Sequence, residues 1–397
     1  MRLLHTSDWH LGRSFHRVGL LEAQAAYADH LVEVVRSERV DAVLVSGDVY
    51  DRALPAPDTV ALLSETVRRL VDAGTQVVLS SGNHDSAIRL GFASELLERA
   101  GLHIRTRTDT VGTPVLLEGV AVYPLPYLEP AAVADGLGAT ERTHAGVLRA
   151  AMQRVDTDRT QRPGPSVVMA HAFVTGGASS ESERDIGVGG VSAVPPEVFG
   201  DVDYVALGHL HGPQRIAEAV RYSGSPVALS FSEADHPKGS CLVDVQPGTG
   251  DRPARVEVEH VPAPVYKPLA RLRGTLEELL SDGAHAAAES AWVEATLTDA
   301  QRPRGAMERL RNRFPGCLSL QFDGPTRLDS ARSYAARLRH RSDLDVCCDF
   351  LEHVRSVANA SDAERRLLAT AVEESARERG RREGEGQAVG ARGQGVA

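Results

Sequence analysis

Five short segments of this 397-residue chain carry side chains of the kind that hold divalent cations. They are Asp8-Trp9-His10, Gly47-Asp48-Val49-Tyr50-Asp51, Gly82-Asn83-His84-Asp85, a lone His171, and Gly208-His209-Leu210-His211. Imidazole, carboxylate and amide oxygen, with no thiolate among them, suit hard to borderline divalent ions. Asp8 and His10 are two residues apart, as are His209 and His211. In an extended segment that spacing puts both side chains on one face. The preceding glycines let the backbone turn tightly, so that the ligands can approach a common centre. Seven such groups are too many for one four-coordinate zinc but suit two ions sharing a carboxylate. An ion pair of that kind clamps the attacking and leaving oxygens of a phosphoryl displacement.

Each segment falls where an expected strand gives way to a loop. Strands are expected over Arg2–His5, Val40–Ser46, Gln76–Ser80, Val115–Tyr123, Ser166–Ala170, Val202–Leu207, Val220–Ser223 and Ser240–Val245. Helical stripes run between them over Leu20–Arg36, Val60–Ala73 and Thr140–Val155. The alternation calls for a layered α/β sheet. In open α/β sheets, ligands collect beyond the carboxyl ends of the strands, where residues remote in sequence converge. His171 carries no signal by itself. It gains one from following the apolar run Ser166–Ala170 and from lying between the third and fifth segments. Asp85 reads as a turn or helix-cap residue.

Beyond a loop over Gln246–Pro253 and a joint over Pro262–Pro268 the pattern shifts. Strands over Leu269–Leu272, Trp292–Leu297 and Cys317–Phe322 alternate with a helix opened by Thr275 and another over Ala306–Phe314. Two helices follow, Leu344–Val357 and one opened by Ser361, with Glu364 at the capping-box spacing. Cys347, Leu351 and Val354 align on the first, and Cys347 and Cys348 read as small apolar groups. The expected division is a body over 1–262, a small α+β capping domain over 263–340, a helix pair over 341–380 and a disordered tail over 381–397.

The order D-x-H, G-D-x-x-D, G-N-H-D, H, G-H-x-H resembles the calcineurin-type metallophosphoesterase superfamily, all five blocks being present. Leu4–Gly12, Tyr204–His211 and Tyr222-Ser223-Gly224-Ser225-Pro226 resemble the SbcD family more closely. Phe231-Ser232-Glu233 and Ser182-Glu183-Arg184-Asp185 do so too. That family comprises the nuclease subunits of bacterial SbcCD complexes and is related to double-strand-break repair nucleases of other kingdoms. The likeness is strong over about residues 1–245; the later parts match in order only. It implies a layered metallophosphoesterase β-sandwich flanked by helices. It implies one ion held by Asp8, His10, Asp48 and His211, and a second held by Asp48, Asn83, His171 and His209, with Asp48 bridging. His84 would face the substrate, stabilising the transition state or protonating the leaving oxygen, and Asp51 would orient His84 or a ligand. Two manganese ions are the expected cofactors. The implied activity is hydrolysis of phosphodiester bonds at DNA ends, hairpins and single strands. The implied partner is an SbcC-type SMC-like ATPase docked on the helix pair, in a heterotetramer containing two copies of this chain.

Composition bounds these readings. The chain is 42% hydrophobic and 25% charged, which excludes a mainly disordered protein. No stretch approaches the ~20 apolar residues of a membrane span. The polar onset of the N-terminus does not read as a signal peptide, and four cysteines are too few for a disulfide framework, so a cytoplasmic chain is expected. A net charge of −10 is unusual for a nucleic-acid binder, whose phosphate affinity comes from surplus Lys and Arg. Against that average, ten arginines lie between Arg302 and Arg341, facing only Glu308, Asp323 and Asp329. They form either a solvated face or a phosphate-contacting surface. Two rival functions fit the same metal site: a phosphoesterase for small molecules, and a non-catalytic tether for the ATPase.

Overall fold

The computed structural model describes residues 1–183, 193–248, 254–324, 342–355 and 360–375. Arg184 and Asp185, the segment 325–341 of the arginine-rich stretch and the expected tail 381–397 lie outside these, as does the Val354 side chain. Within the first part, the strands are β1 (Arg2–Thr6), a small hairpin β2–β3 (Ser14–Phe15 and Val18–Gly19), β4 (Ala42–Ser46), β5 (Gln76–Ser80) and β6 (Leu102–Arg105). Next come β7 (Val115–Leu117), β8 (Val120–Pro124), β9 (Ser166–His171), β10 (Tyr204–Gly208), β11 (Gln214–Arg215) and β12 (Val220–Tyr222). Then β13 (Gly239–Gln246) and β14 (Arg255–Pro262) follow.

They build two six-stranded sheets, β14-β13-β1-β4-β5-β6 and β11-β12-β10-β9-β8-β7. The apolar runs of β4, β9 and β10 are buried along their whole length, as central parallel strands covered on both faces must be. Leu3, Leu44, Val78 and Val243 meet Val122, Val167, Met169 and Ala206 between the sheets. Outside the first sheet lie the helices Leu21–Glu38 and Pro57–Asp72, and outside the second lies His144–Arg159. The result is the four-layered α/β sandwich that the motif order implied.

Five departures from the sequence reading have local causes. The helix expected from Thr140 starts at His144, because the Thr143 hydroxyl accepts the Gly146 N–H at 3.0 Å and caps it there. The strand expected over Val115–Tyr123 is a hairpin, bent at Glu118 (φ 40°) and Gly119 (φ 87°). Strand β14 was not anticipated; its Val256/Val258 alternation with charged residues is that of an exposed edge strand. Strand β6 and the helix Pro130–Leu137 also escaped notice, both being short.

The later elements follow the expected order: β15 (Leu269–Gly274), the helix Leu276–Ser281, β16 (Trp292–Leu297), the helix Ala306–Arg313 and β17 (Cys317–Phe322). The strands form a sheet in the order β15-β16-β17. The Thr275/Glu278 and Ser361/Glu364 capping boxes both form, each Glu accepting the N–H of its Thr or Ser. The helices Asp343–Arg355 and 362–375 complete the described chain. Compactness divides it into one unit of 1–272, 280–295 and 307–320, and a second of 273–279, 296–306 and 321 onward. Within the first unit Trp292 stacks on Phe15, ring centroids 5.3 Å apart, in a cluster with Phe231 and Leu229.

Candidate metal centre

Strands β1, β4, β5, β9 and β10 are parallel within their sheets, and their carboxyl ends carry the five segments. Asp8 and His10 follow β1, Asp48 follows β4, Asn83 and His84 follow β5, His171 ends β9, and His209 and His211 follow β10. Close approach of the loops requires two of the glycines. A β-carbon at Gly208 would lie 1.9 Å from the Ser46 carbonyl oxygen, and one at Gly82 would lie 2.1 Å from Asp48 Oδ1. The loops are strained as well. Asp8 (φ 54°), His10 (φ 43°) and Asp48 (φ 49°) hold left-handed backbone, which costs an L-residue about 1–3 kcal/mol each and concentrates at functional sites.

The side chains converge. His10 Nε2 lies 3.2 Å from His211 Nε2 and 3.5 Å from Asp48 Oδ2. His171 Nε2 lies 3.4 Å from Asp48 Oδ2 and 2.9 Å from Asn83 Oδ1, so the amide oxygen is the atom turned inward. Among the described residues, three groups have ligand atoms within 4.8 Å of one another: Asp8, His10 and His211; Asp8, Asp48 and His171; and His10, Asp48 and His84. Asp48 joins two of them. His209 stands outside these triplets, its ring edge-on to His171 at 5.3 Å, while its N–H donates to Asp8 at 3.1 Å. His84 comes nearer the centre than a purely substrate-facing residue requires, 4.7 Å from the His10 ring. Its Nδ1 contacts the Asp51 main-chain oxygen at 2.8 Å. The Asp51 carboxylate faces elsewhere, 3.4 Å from His10 Nδ1 and 3.1 Å from Arg13 Nη1.

The electrostatics fit bound cations. Burial, with Asp48 close by, pushes the Asp8 carboxyl up to about 6. Burial also opposes the Asp48 charge, but His171 and His10 outweigh it and hold Asp48 well below the usual carboxylate range. Burial would lower His171 too, yet the two carboxylates raise it to about 9. Charge balance in this dry cluster thus calls for a positive charge between Asp48, Asp8 and His171, where a divalent ion would satisfy the same groups. Burial and the neighbouring His171 lower His209 to about 3, leaving it the neutral imidazole that a metal binds.

Other residues brace the loops. Asp85 accepts the N–H groups of Gly82 (2.9 Å), Val49 (3.1 Å) and Tyr50 (2.9 Å), tying the second segment to the third. It is a loop clamp, a role wider than a turn or cap within its own segment. Ser7 donates to Asp8 at 2.6 Å. Behind His211 stand Ser182, Glu183, Glu233 and Lys238. Lys238 gave no signal in the sequence, and for the others the only one was the likeness of their short segments to the SbcD family.

Residues 1–213 match the family profile of calcineurin-like phosphoesterases. The chain belongs to that family. A second profile, described as the type 5 capsule protein repressor C-terminal domain and labelled for the C-terminal domain of SbcD, matches residues 265–355. Together the two matches support an SbcD-type nuclease subunit. Members of the phosphoesterase family use divalent metals, and this site offers the groups to hold them. Among solved structures, the chain is similar to TT1561 of Thermus thermophilus, with 14% identity over 65% of this chain and 98% of that one and a TM-score of 0.37. It is also similar to the calcineurin-like phosphoesterase YfkN from Bacillus subtilis (13% identity, 66% and 90%, TM-score 0.37). A dimetal phosphatase from Danio rerio is a third (13%, 64% and 98%, TM-score 0.36). Among the described residues no helix is long and apolar enough to cross a membrane.

Proposed function

We propose that this chain is the nuclease subunit of an SbcCD-type complex, hydrolysing phosphodiester bonds at DNA ends, hairpins and single strands in repair and recombination. The observation that carries the reading is one edge where two sheets deliver the buried Asp8, His10, Asp48, His171, His209 and His211 and the half-buried Asn83 in a chain that also matches an SbcD-type C-terminal profile. Bound there, two divalent ions, manganese by the likeness to the family, supply electrophilic pull on phosphoryl oxygens and lower the pKa of water toward neutrality. Asp48 lies between the two ligand sets and holds them in register. His84, with Nδ1 on the Asp51 carbonyl, keeps Nε2 for the phosphoryl or leaving oxygen. The Asp51 carboxylate orients His10, while its carbonyl orients His84.

The remaining parts serve partners. These are taken as a capping domain over 263–340 and a helix pair over 341–380; the profile over 265–355 starts close to the first of these boundaries. Phe350 and Leu367 on the two helices are 56% and 72% exposed, which suits docking of an SMC-like ATPase by its apolar stripe. Ile88 on the short helix Ala87–Leu90, Phe92 in the turn after it and Leu96 on the short helix Ser94–Leu97 are also exposed and suit a second copy of this chain. Two ions add +4 at the acidic edge, so the net charge of −10 does not keep DNA away. Alone, the chain would bind DNA weakly and cut it only with metal.

The test is a cleavage assay on linear and hairpin DNA with manganese, with and without the partner ATPase and ATP. Metal-dependent cleavage, enhanced by the partner with ATP, is expected. Turnover of a generic small phosphodiester with DNA left intact in every condition would overturn the reading in favour of a small-molecule phosphoesterase.

A further inference from the structure

The two outer histidines of the centre are braced from behind in different ways. His171 Nδ1 meets a single main-chain oxygen, that of Ser46, at 3.0 Å. His211 Nδ1 meets the Ser182 hydroxyl at 2.6 Å, and that hydroxyl donates in turn to Glu233 Oε1. The other Glu233 oxygen receives Lys238 Nζ. Lys238 Nζ also donates to the main-chain oxygen of His211 at 2.8 Å. His211 is therefore held at its ring and at its main chain by the two ends of one ion pair. The Glu233 side chain is 0% exposed and that of Lys238 10%.

Stability alone gives little reason for such a pair, since an apolar pair of the same volume serves a core as well or better. Its geometry gives a reason. Glu233 is a carboxylate with no proton to offer, so Ser182 must donate to it. The Ser182 oxygen is then left to accept from His211 Nδ1–H. That order removes the proton from Nε2, the nitrogen that sits 3.2 Å from His10 Nε2 and groups with Asp8. A ligating imidazole needs that free lone pair, and the partner of its other nitrogen is what fixes it.

We propose that Ser182, Glu233 and Lys238 are positioning residues that hold His211 in its Nδ1-protonated form, and that they set the affinity of one metal subsite while leaving the other unchanged. The subsite is the one formed by Asp8, His10, Asp48 and His211, so the inference rests on the two-ion reading above.

The experiment is titration of manganese into the metal-free full-length chain by calorimetry, with bound metal counted by elemental analysis and unfolding temperature recorded. The wild type should take up two ions. Ser182→Ala and Glu233→Gln should each keep one ion at wild-type affinity and bind the other about 10–100-fold more weakly. Ser182→Thr, which keeps the hydroxyl, should restore both. Asn83→Ala should spare the ion that the relay variants weaken. Two ions at wild-type affinity in Ser182→Ala and Glu233→Gln would overturn the relay, and so would equal weakening of both ions, the signature of a loosened fold. If Glu233→Gln does not fold, Ser182→Ala, which deletes one oxygen, decides alone. A wild type that takes up no ion would instead overturn the metal reading, and the relay with it.

Discussion

The candidate metal edge of the sandwich and the segment 88–96 treat their side chains in opposite ways. At the edge, charged and polar groups are buried together: Asp8, His10, Asp48 and His211 are at most 2% exposed. Along 88–96, large apolar groups stand in water: Ile88 is 89% exposed and Phe92 79%. Burying charge is costly unless it is paired, and exposing large apolar groups forfeits their burial energy. The first arrangement is complete apart from small cations and a phosphoryl group. The second leaves apolar surface in water, which is why a macromolecular partner is proposed for it. One region is preorganised, the other exposed.

The strongest way to break this contrast is Asp48→Ala. Asp48 lies within reach of His10, His171 and His84, so its loss should empty both subsites and remove detectable cleavage. Elemental analysis showing two bound ions in that variant would contradict the bridging role. His84→Gln should come next, lowering turnover by about 10²–10⁴-fold, the usual contribution of a positioned acid or base. Its metal content should match the wild type. A parallel loss of one ion would instead make His84 a ligand, as its place in the His10–Asp48 group would allow.

How much of this could be read from sequence differs between the regions for the same physical reason. A strand buried on both faces must be apolar throughout, so Ser166–His171 and Tyr204–Gly208 announced themselves, and the ligands at their ends with them. Strand β14, at the sheet edge and mostly exposed, is under no such constraint and carries no apolar run to mark it. Asp85 looked like a local cap because its partners Val49 and Tyr50 lie 36 and 35 residues away. Lys238 was silent because its meaning depends on Glu233 and His211 folding around it, 5 and 27 residues distant. Pattern reports what a residue must be given its own element. It does not report contacts that exist only after loops converge.

On the exposed side, Phe92→Asp tests whether the apolar row meets a second copy. A central aromatic anchor contributes about 2 kcal/mol or more to an interface, roughly a 30-fold change in dissociation constant. Sedimentation should show a dimer for the wild type and a shift to monomer for the variant, with metal uptake unchanged. A variant as dimeric as the wild type would leave the row without this role.

The smallest expected effect concerns the arginine-rich stretch. Arg313 is occupied by Glu289 at 3.0 Å, and Arg311 donates to the Cys317 carbonyl at 3.1 Å, so both help hold their own helix and strand. Arg309 is exposed on the same helix, four residues before Arg313, and is the better candidate for a phosphate contact. If it makes one, Arg309→Ala should weaken DNA binding by the assembled complex to a similar degree for all sequences. The slope of log K against log salt should fall by about one, because one fewer counterion is displaced. An unchanged slope would assign Arg309 to a solvated helical face.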